Sequence, residues 1–302
     1  MIRASAPAKI NLVFQVGSLE STGYHPVNSL YLELDLREEI QLQKKSDIAG
    51  VNILVQSHTL PSRHVNAVPT DSSNLVYKVA QKLFTNAGID LTELEVQITK
   101  RIPVAGGMAG GSANAAAMLV ATNEYLFEEY AVAKLSDSEL LVLAAEFGSD
   151  VPFSMVGGLA IGTGRGEKLV SCEPLRFETH WVLAIANEGL STPQVFAKFD
   201  EISQPSNFTD LSFELGSIEE LAKLMTNALE PAAVSLLPTV GQNLQLLEQL
   251  GSLKAMVTGS GPTVIGLFES AEKATFAAKT LTEMGLLALT AVPNYLGTRL
   301  ER

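Results

Sequence analysis

The sequence predicts an α+β protein folded as two domains. Three observations carry that prediction. A chain of 302 residues can bury more than one core. Its first half alternates apolar and polar positions over long stretches, as half-buried strands do. Its second half runs strand, helix, strand, strand, helix, strand with extra helix between, a ferredoxin-like order. The change of character falls around 160–170, giving expected domains at 1–162 and 163–302.

The elements follow in chain order. In "KINLVFQV", alternation puts Ile10, Leu12, Phe14 and Val16 on one strand face and Lys9, Asn11, Val13 and Gln15 on the other. "LYLELDLREEIQLQ" continues as a longer strand, "NLVYKVAQKLF" has helical periodicity, and "LEVQITK" reads as a strand ending at Lys100. A glycine-rich loop then enters a helix reaching about Leu126. Ser136 and Glu139 form a capping box for the next helix, which stops before Gly148. "GGLAIGTGRGEKL" reads as strand, turn, strand. Beyond it, "WVLAIA" is a strand and "TPQVFAKF" a helix with Thr192 as cap and Pro193 in its first turn. "SIEELAKLMTNAL" is a helix opened by Ser217 and Glu220, with more helix over 232–250. Strands "KAMVTG" and "TVIGLF", helix "AEKATFAAKTLTEM" and strand "LTAVP" complete the order.

Composition narrows the function. Hydrophobic residues make up 46% and charged residues 18%, ordinary for a compact α/β protein. A formal charge of −12 opposes nucleic acid as a main partner, because phosphate backbones are held by Lys and Arg. Positive potential for any phosphorylated ligand must therefore be local: single lysines, helix N-termini and a divalent metal. No apolar run approaches the roughly 18 residues that span a bilayer, and the N-terminus lacks a leader pattern. Cys172 is the single cysteine, so no intrachain disulfide forms and a cytoplasmic address is expected. The Asn207 sequon is then read as chance.

The densest signal is "PVAGGMAGGSANAAA" at 103–117, with four glycines in six positions. A packing turn needs only two. A dinucleotide fingerprint needs G-x-G-x-x-G, which this spacing does not give, and a Walker loop needs a lysine that is absent. What remains is a loop feeding a helix N-terminus, where free N–H groups and the helix dipole hold an anion, with the Ser112 hydroxyl alongside. The loop alone leaves phosphate binding and a structural turn both open. Other segments have plain readings of their own. Lys9 and Asn11 fit a solvent-facing strand face, Asp150 fits a helix cap, and "VTGSGPTVIGLF" fits a hairpin.

Together "PAKINL", "PVAGGMAGGSANAA" and "GSGPTV" resemble the superfamily of galactokinase, homoserine kinase, mevalonate kinase and phosphomevalonate kinase, across nearly the whole chain. "GYHPVNSLY", "GSDVPF" and "NLV" are similar to the branch that acts on a cytidine diphosphate conjugate of methylerythritol in the non-mevalonate isoprenoid pathway. The resemblance implies an N-terminal domain like ribosomal protein S5 domain 2, a ferredoxin-like C-terminal domain, and an active site in the cleft between them. It implies transfer of the ATP γ-phosphoryl group to a hydroxyl, with Mg2+.

By the same resemblance, Lys9 and Asp150 are the catalytic pair. Gly106, Gly107, Gly110, Gly111 and Ser112 hold ATP phosphates, and Asn74 lies near the adenine. Tyr24 and His25 meet the cytidine, Phe196 forms the opposing aromatic wall, and Asn11 orients the acceptor; no metal ligand is assigned. Ala105 and Ala109 stand where these kinases usually carry glycine, Ala113 replaces a usual serine, and Ser73 a common aspartate. The expected partner is a small molecule carrying cytidine diphosphate, with no nucleic acid and no membrane, and the chain is expected as a monomer or homodimer. Homoserine kinase and a catalytically silent sensor on the same fold are the alternatives. Tyr24, His25 and Phe196 speak against the first, and the Lys9–Asp150 pair against the second.

Overall fold

Two long antiparallel strands, β1 (Ile2–Val16) and β2 (Val27–Lys44), form the spine of the first sheet. The computed structural model describes residues 1–46, 50–211 and 215–301. On the β2 side follow β4 (Leu94–Thr99) and, parallel to it, β3 (Val51–Gln56). Farther along β2, the hairpin of β5 (Leu159–Thr163) and β6 (Lys168–Cys172) joins the same sheet. Short helix α1 (Ser62–Asn66) and helix α2 (Leu75–Asn86) connect β3 to β4. Helices α3 (Gly110–Tyr130), α4 (Asp137–Phe147) and α5 (Val151–Val156) lead from β4 to β5.

The alanine-rich α3 packs on β1 and β2 and is flanked by α2, α4 and α5. Ala113, Ala115, Ala116, Ala117 and Ala121 are all fully buried, and so are Ala4, Ala6 and Ala8 on β1. A helix apolar on most sides belongs in an interior. Small residues let it sit close to the strands.

The second unit contains β7 (His180–Ile185), α6 (Thr192–Ile202), α7 (Ile218–Leu224), β8 (Thr226–Asn227), α8 (Glu230–Leu236) and α9 (Pro238–Gln249). It continues with β9 (Lys254–Val257), β10 (Val264–Phe268), α10 (Ala271–Glu283) and β11 (Leu287–Ala291). Its antiparallel sheet has the order β11-β7-β10-β9, which is the expected ferredoxin-like arrangement. Val182, Ala184, Val257, Val264 and Phe268 pack on α9 and α10. The opposite face, with Trp181, Leu183 and Ile265, joins the core of the first sheet in one cluster. Both faces are covered, so the strand "WVLAIA" shows no alternation.

Four details depart from the sequence reading. Between Asn11 and Val13 the register of β1 shifts. Val13 therefore joins the cluster of Ile10 and Leu12, while Phe14 and Val16 turn to a separate cluster with Phe199. A bulge adds one residue and flips every later side chain. The chain also leaves the first sheet between Cys172 and His180 rather than at 162, because hairpin β5–β6 stays bonded to β2. Two very short strands rejoin that sheet: β8 pairs with β1, and so does β12 (Arg299–Glu301). Finally, Ser191 rather than Thr192 caps α6, without a side-chain bond.

A buried carboxylate ties the returning chain down. Glu33 Oε2 accepts N–H bonds from Gly158, Leu296 and Gly297 at 2.7, 3.1 and 3.0 Å. Its Oε1 accepts from Arg37 Nη1 at 2.9 Å, and Arg37 Nε donates to Ser5 Oγ at 2.8 Å. The charge is buried, yet both oxygens are used. Removing one partner strands the rest, so Glu33→Ala should destabilise the protein by about 3–5 kcal/mol in chemical denaturation.

Candidate active site

The glycine loop answers for its own composition residue by residue. Gly107 has φ 74°, and a Cβ there would come 2.4 Å from the carbonyl oxygen of Thr258. Gly110 leaves room for the Lys100 ammonium, 3.1 Å from where its Cβ would lie. At Gly111 nothing stands within 4 Å, so that side of the loop opens to the cleft. Packing demands glycine at 107 and leaves 110 tight against Lys100 and Ile102; at 111 the space is left for something else.

The N–H groups of Gly106, Gly107, Gly110, Gly111 and Ser112 find no acceptor among the described residues. Helix α3 begins there, so its dipole adds to them. Ala105 and Ala109 sit at φ 54° and 60°, in the left-handed region that costs an L-residue roughly 1–2 kcal/mol. The loop keeps its glycine-like shape despite both alanines.

Facing the loop, the strand β1 carries Lys9, only 4% exposed. Its Nζ donates to Asn11 Oδ1 at 2.8 Å, lies 3.9 Å from Asp150 Oδ2 and sits 5.3 Å from the Tyr31 ring centre. Burial lowers the Lys9 pKa, and the Asp150 carboxylate opposes that shift. Asp150 stands at the N-cap of α5, but its side chain makes no capping bond. The carboxylate is free for other work.

Loop and ion pair open on one cleft of about 1190 Å³, lined from the first unit by Lys9, Asp150 and the glycines and from the second by Thr192, Phe196 and Ser260. Single small-ligand sites occupy about 300–1,000 Å³, so the cleft lies above the upper end of that range.

Comparison with known proteins decides the family. Residues 74–158 match the GHMP kinases N terminal domain and 211–285 the GHMP kinases C terminal domain. The 4-diphosphocytidyl-2-C-methyl-D-erythritol kinase of Nocardia farcinica is 41% identical, covering 93% of this chain and 89% of the relative. That of Pseudarthrobacter chlorophenolicus is 36% identical, over 99% and 94%. The chain belongs to the GHMP kinases, in the family of 4-diphosphocytidyl-2-C-methyl-D-erythritol kinases. A solved 4-(cytidine 5'-diphospho)-2C-methyl-D-erythritol kinase superposes with TM-score 0.73 at 26% identity, covering 97% of this chain and 99% of that one. Homoserine kinase from Cytophaga hutchinsonii, at 18% identity and TM-score 0.72 over 99% and 97%, shares the fold.

This kinase brings most of the expected residues to the cleft. Lys9, Tyr24, His25, Asn74, Gly106, Gly107, Gly110, Gly111, Asp150 and Phe196 line it, whereas Asn11 and Ser112 do not. Asn11 is fully buried, with its amide divided between Lys9 Nζ and Ser29 Oγ, so it holds the lysine in place. Asn74 is the cap of α2: its Oδ1 accepts from Val76 N–H at 2.9 Å, and its Nδ2 donates to Pro69 O at 2.6 Å. One amide hydrogen remains for a ligand. The His25 ring is also engaged, with Nδ1 2.8 Å from Gly17 O and Nε2 3.3 Å from Asp200 Oδ2. It stacks at 5.3 Å on Phe196. The imidazole thus stands in the cleft wall beside Phe196, anchored through Nδ1.

Sequence reasoning missed Tyr31, Lys100, Asn114 and Arg165, which line the same cleft. Lys100 is paired with buried Glu38 at 3.0 Å, and burial pushes the Glu38 acid up. A lysine ending a strand just before a glycine loop was the available signal. Two substitutions separate the roles of the glycines. Gly107→Ala should cost at least about 2 kcal/mol of stability through its φ and the Thr258 clash. Gly111→Val should leave thermal unfolding nearly unchanged while raising KM for ATP about tenfold.

Proposed function

We propose that the protein transfers the γ-phosphoryl group of ATP to the 2-hydroxyl of 4-diphosphocytidyl-2-C-methyl-D-erythritol, giving the 2-phosphate and ADP, in non-mevalonate isoprenoid biosynthesis. The observation that carries this reading is the Lys9–Asp150 pair, which opens into one cleft between an unpartnered amide loop and the Tyr24–Phe196 aromatics. A tertiary alcohol is a poor nucleophile. Asp150 accepts its proton as the oxygen attacks the γ-phosphorus and the bond to the bridging oxygen of ADP breaks. Lys9 sits beside both groups and stabilises negative charge. The loop amides hold the phosphates, so the remaining work is positioning. Asn74 lies on the adenine side, and Tyr24 and Phe196 contact the cytosine.

Among the described residues no group of three or more His, Cys, Asp or Glu side chains could hold a metal alone. Magnesium would then be carried in by the nucleotide and held mostly by phosphate oxygens and water. Magnesium, when bound, neutralises charge on the β- and γ-phosphates. A reducing, cytoplasmic setting suits the lone Cys172. The homoserine kinase reading has only a fold-level likeness behind it, and an amino-acid acceptor has no use for Tyr24 and Phe196.

The deciding assay gives magnesium-ATP with the cytidine diphosphate conjugate, homoserine or mevalonate and follows ADP. Release with the conjugate alone is expected; release only with another acceptor, or with none, sinks the proposal. Asp150→Ala should cut turnover a hundredfold or more, on the order of general-base losses, while ATP still binds. Near-normal turnover in that variant would remove Asp150 from the chemistry. Because burial lowers the Lys9 pKa, its charge is lost below the ordinary lysine value of 10.5 as pH rises. The alkaline limb of kcat/KM, which reports the free enzyme, should therefore fall below the usual lysine range, and Lys9→Arg should displace it upward.

A further inference from the structure

An acceptor with a diphosphate in its middle sets a requirement that the catalytic pair and the base wall leave unmet. Something must hold the diphosphate between them. Of the cleft-lining lysines and arginines, Lys9, Lys100 and Arg165 are the candidates among the described residues. Lys9 is held by Asn11 and Asp150, and Lys100 is buried against Glu38. Arg165 is about half exposed, and its guanidinium makes no hydrogen bond to a described residue. Its nearest carboxylate partner is Glu167, with Nε 3.9 Å from Oε2.

The turn that carries Arg165 is built to aim it. It lies between β5 and β6, flanked by Gly164 and Gly166 at φ 72° and 107°. Gly164 O accepts the Val27 N–H at 2.7 Å, which fastens the turn to β2. A Cβ on Gly166 would come 2.3 Å from the Tyr31 hydroxyl, so the turn lies flat on that ring edge. Glu167 Oε2 accepts the backbone N–H of Arg165 at 2.7 Å and closes the turn. The guanidinium then stands 5.4 Å over the Tyr24 ring. On its other side, the Tyr31 ring carries Lys9 Nζ at 5.3 Å. Contacts thus run Lys9, Tyr31, the glycine-arginine-glycine turn, Tyr24. Arg165 stands against Tyr24, on a turn that packs on the same Tyr31 ring as Lys9.

We propose that Arg165 binds the diphosphate of the acceptor substrate and so sets its reach from the Tyr24 wall to Lys9. The inference rests on the cytidine diphosphate reading above and adds the residue that recognises the anionic linker. A planar fork of donors matches phosphate oxygens two at a time, which a lysine does not. In a chain of net charge −12, such a local cation is also what draws a polyanion into the cleft. The competing role is a brace, in which the guanidinium only steadies Tyr24 through its ring face.

Titration calorimetry of the full chain with cytidine 5'-diphosphate and with cytidine separates these roles. Arg165→Ala should weaken cytidine diphosphate about tenfold and leave cytidine within about twofold. Arg165→Lys should recover part of the loss, and thermal unfolding should not move. In turnover, KM for the conjugate should rise by a similar factor, with kcat and KM for ATP nearly unchanged. Equal losses for the two ligands would make Arg165 a brace, and no loss in either would leave it without a role; both outcomes overturn the proposal alone. A wild-type protein that binds neither ligand and does not turn over the conjugate overturns the cytidine reading and this inference together.

Discussion

Thr258 is where the parts of this kinase meet, and the geometry of the site depends on how closely they meet there. Its Oγ1 accepts the backbone N–H of Asn11 at 3.0 Å, on the strand that carries Lys9. Its carbonyl oxygen lies against Gly107, so close that no side chain fits. Its own N–H donates to Thr263 O at 3.1 Å, and Asn227 Nδ2 holds the flanking carbonyls of Val257 and Gly259 at 2.7 and 2.8 Å. One turn of the second unit therefore sets the distance between the lysine strand and the glycine loop, both of the first. A backbone-to-backbone contact of this kind has little give, because each neighbour is itself bonded. Glycine at 107 is a condition of that contact as much as of any ligand.

The same loop shows how an acidic chain makes a site for anions. Unpartnered amides and the start of α3 supply partial charge with no side chain at all. Full charges are kept under control by pairing: Lys100 with Glu38 beneath Gly110, and Lys9 with Asp150 at the cleft. A buried pair is a weak source of stability, since desolvation offsets attraction. Glu38 illustrates the balance. Its Oε1 receives Lys100 and the N–H groups of Arg101 and Ile102, while its Oε2 has no hydrogen-bond partner among the described residues. The lysine is positioned at the edge of the phosphate loop, and the cost is borne by the carboxylate behind it.

Much of the fold was legible because it rests on long, periodic segments. The paired strands, α2, α4 with its Ser136–Glu139 box and the ferredoxin-like order all follow from local pattern and cap chemistry. What escaped has no local pattern. The two residues of β8 and three of β12 are too short to show a period, and their pairing is dictated by distant partners. The bulge after Asn11 is invisible because the apolar residues on either side keep alternating in type while the face reverses. It turns Phe14 to the cleft beside Lys9, where simple alternation had placed it on the opposite face. The site divides likewise. Side chains reaching the cleft directly were found through their motifs, but Asn11 had to be seen in place before its amide could be assigned to Lys9. Arg165 stood inside a quoted strand-turn-strand segment, and only the docking of that turn on Tyr31 gives it a direction.

The proposed chemistry draws its asymmetry from burial. Lys9 is almost wholly enclosed, and desolvation weighs against its charge more than Asp150 supports it. Asp150 is about one-third exposed and remains open to a ligand. When Asp150 takes the hydroxyl proton it stops being an anion, and the support it gave to Lys9 disappears at that moment. An ammonium left without its counter-charge in a dry site is attracted most strongly to whatever negative charge is nearest. In the transfer step that charge is on the migrating phosphoryl group and the attacking oxygen. The pair therefore couples proton removal to charge stabilisation: neutralising the base frees the cation to act on the transition state. A solvated lysine would have water to turn to instead, so the burial that lowers its pKa also makes the coupling effective.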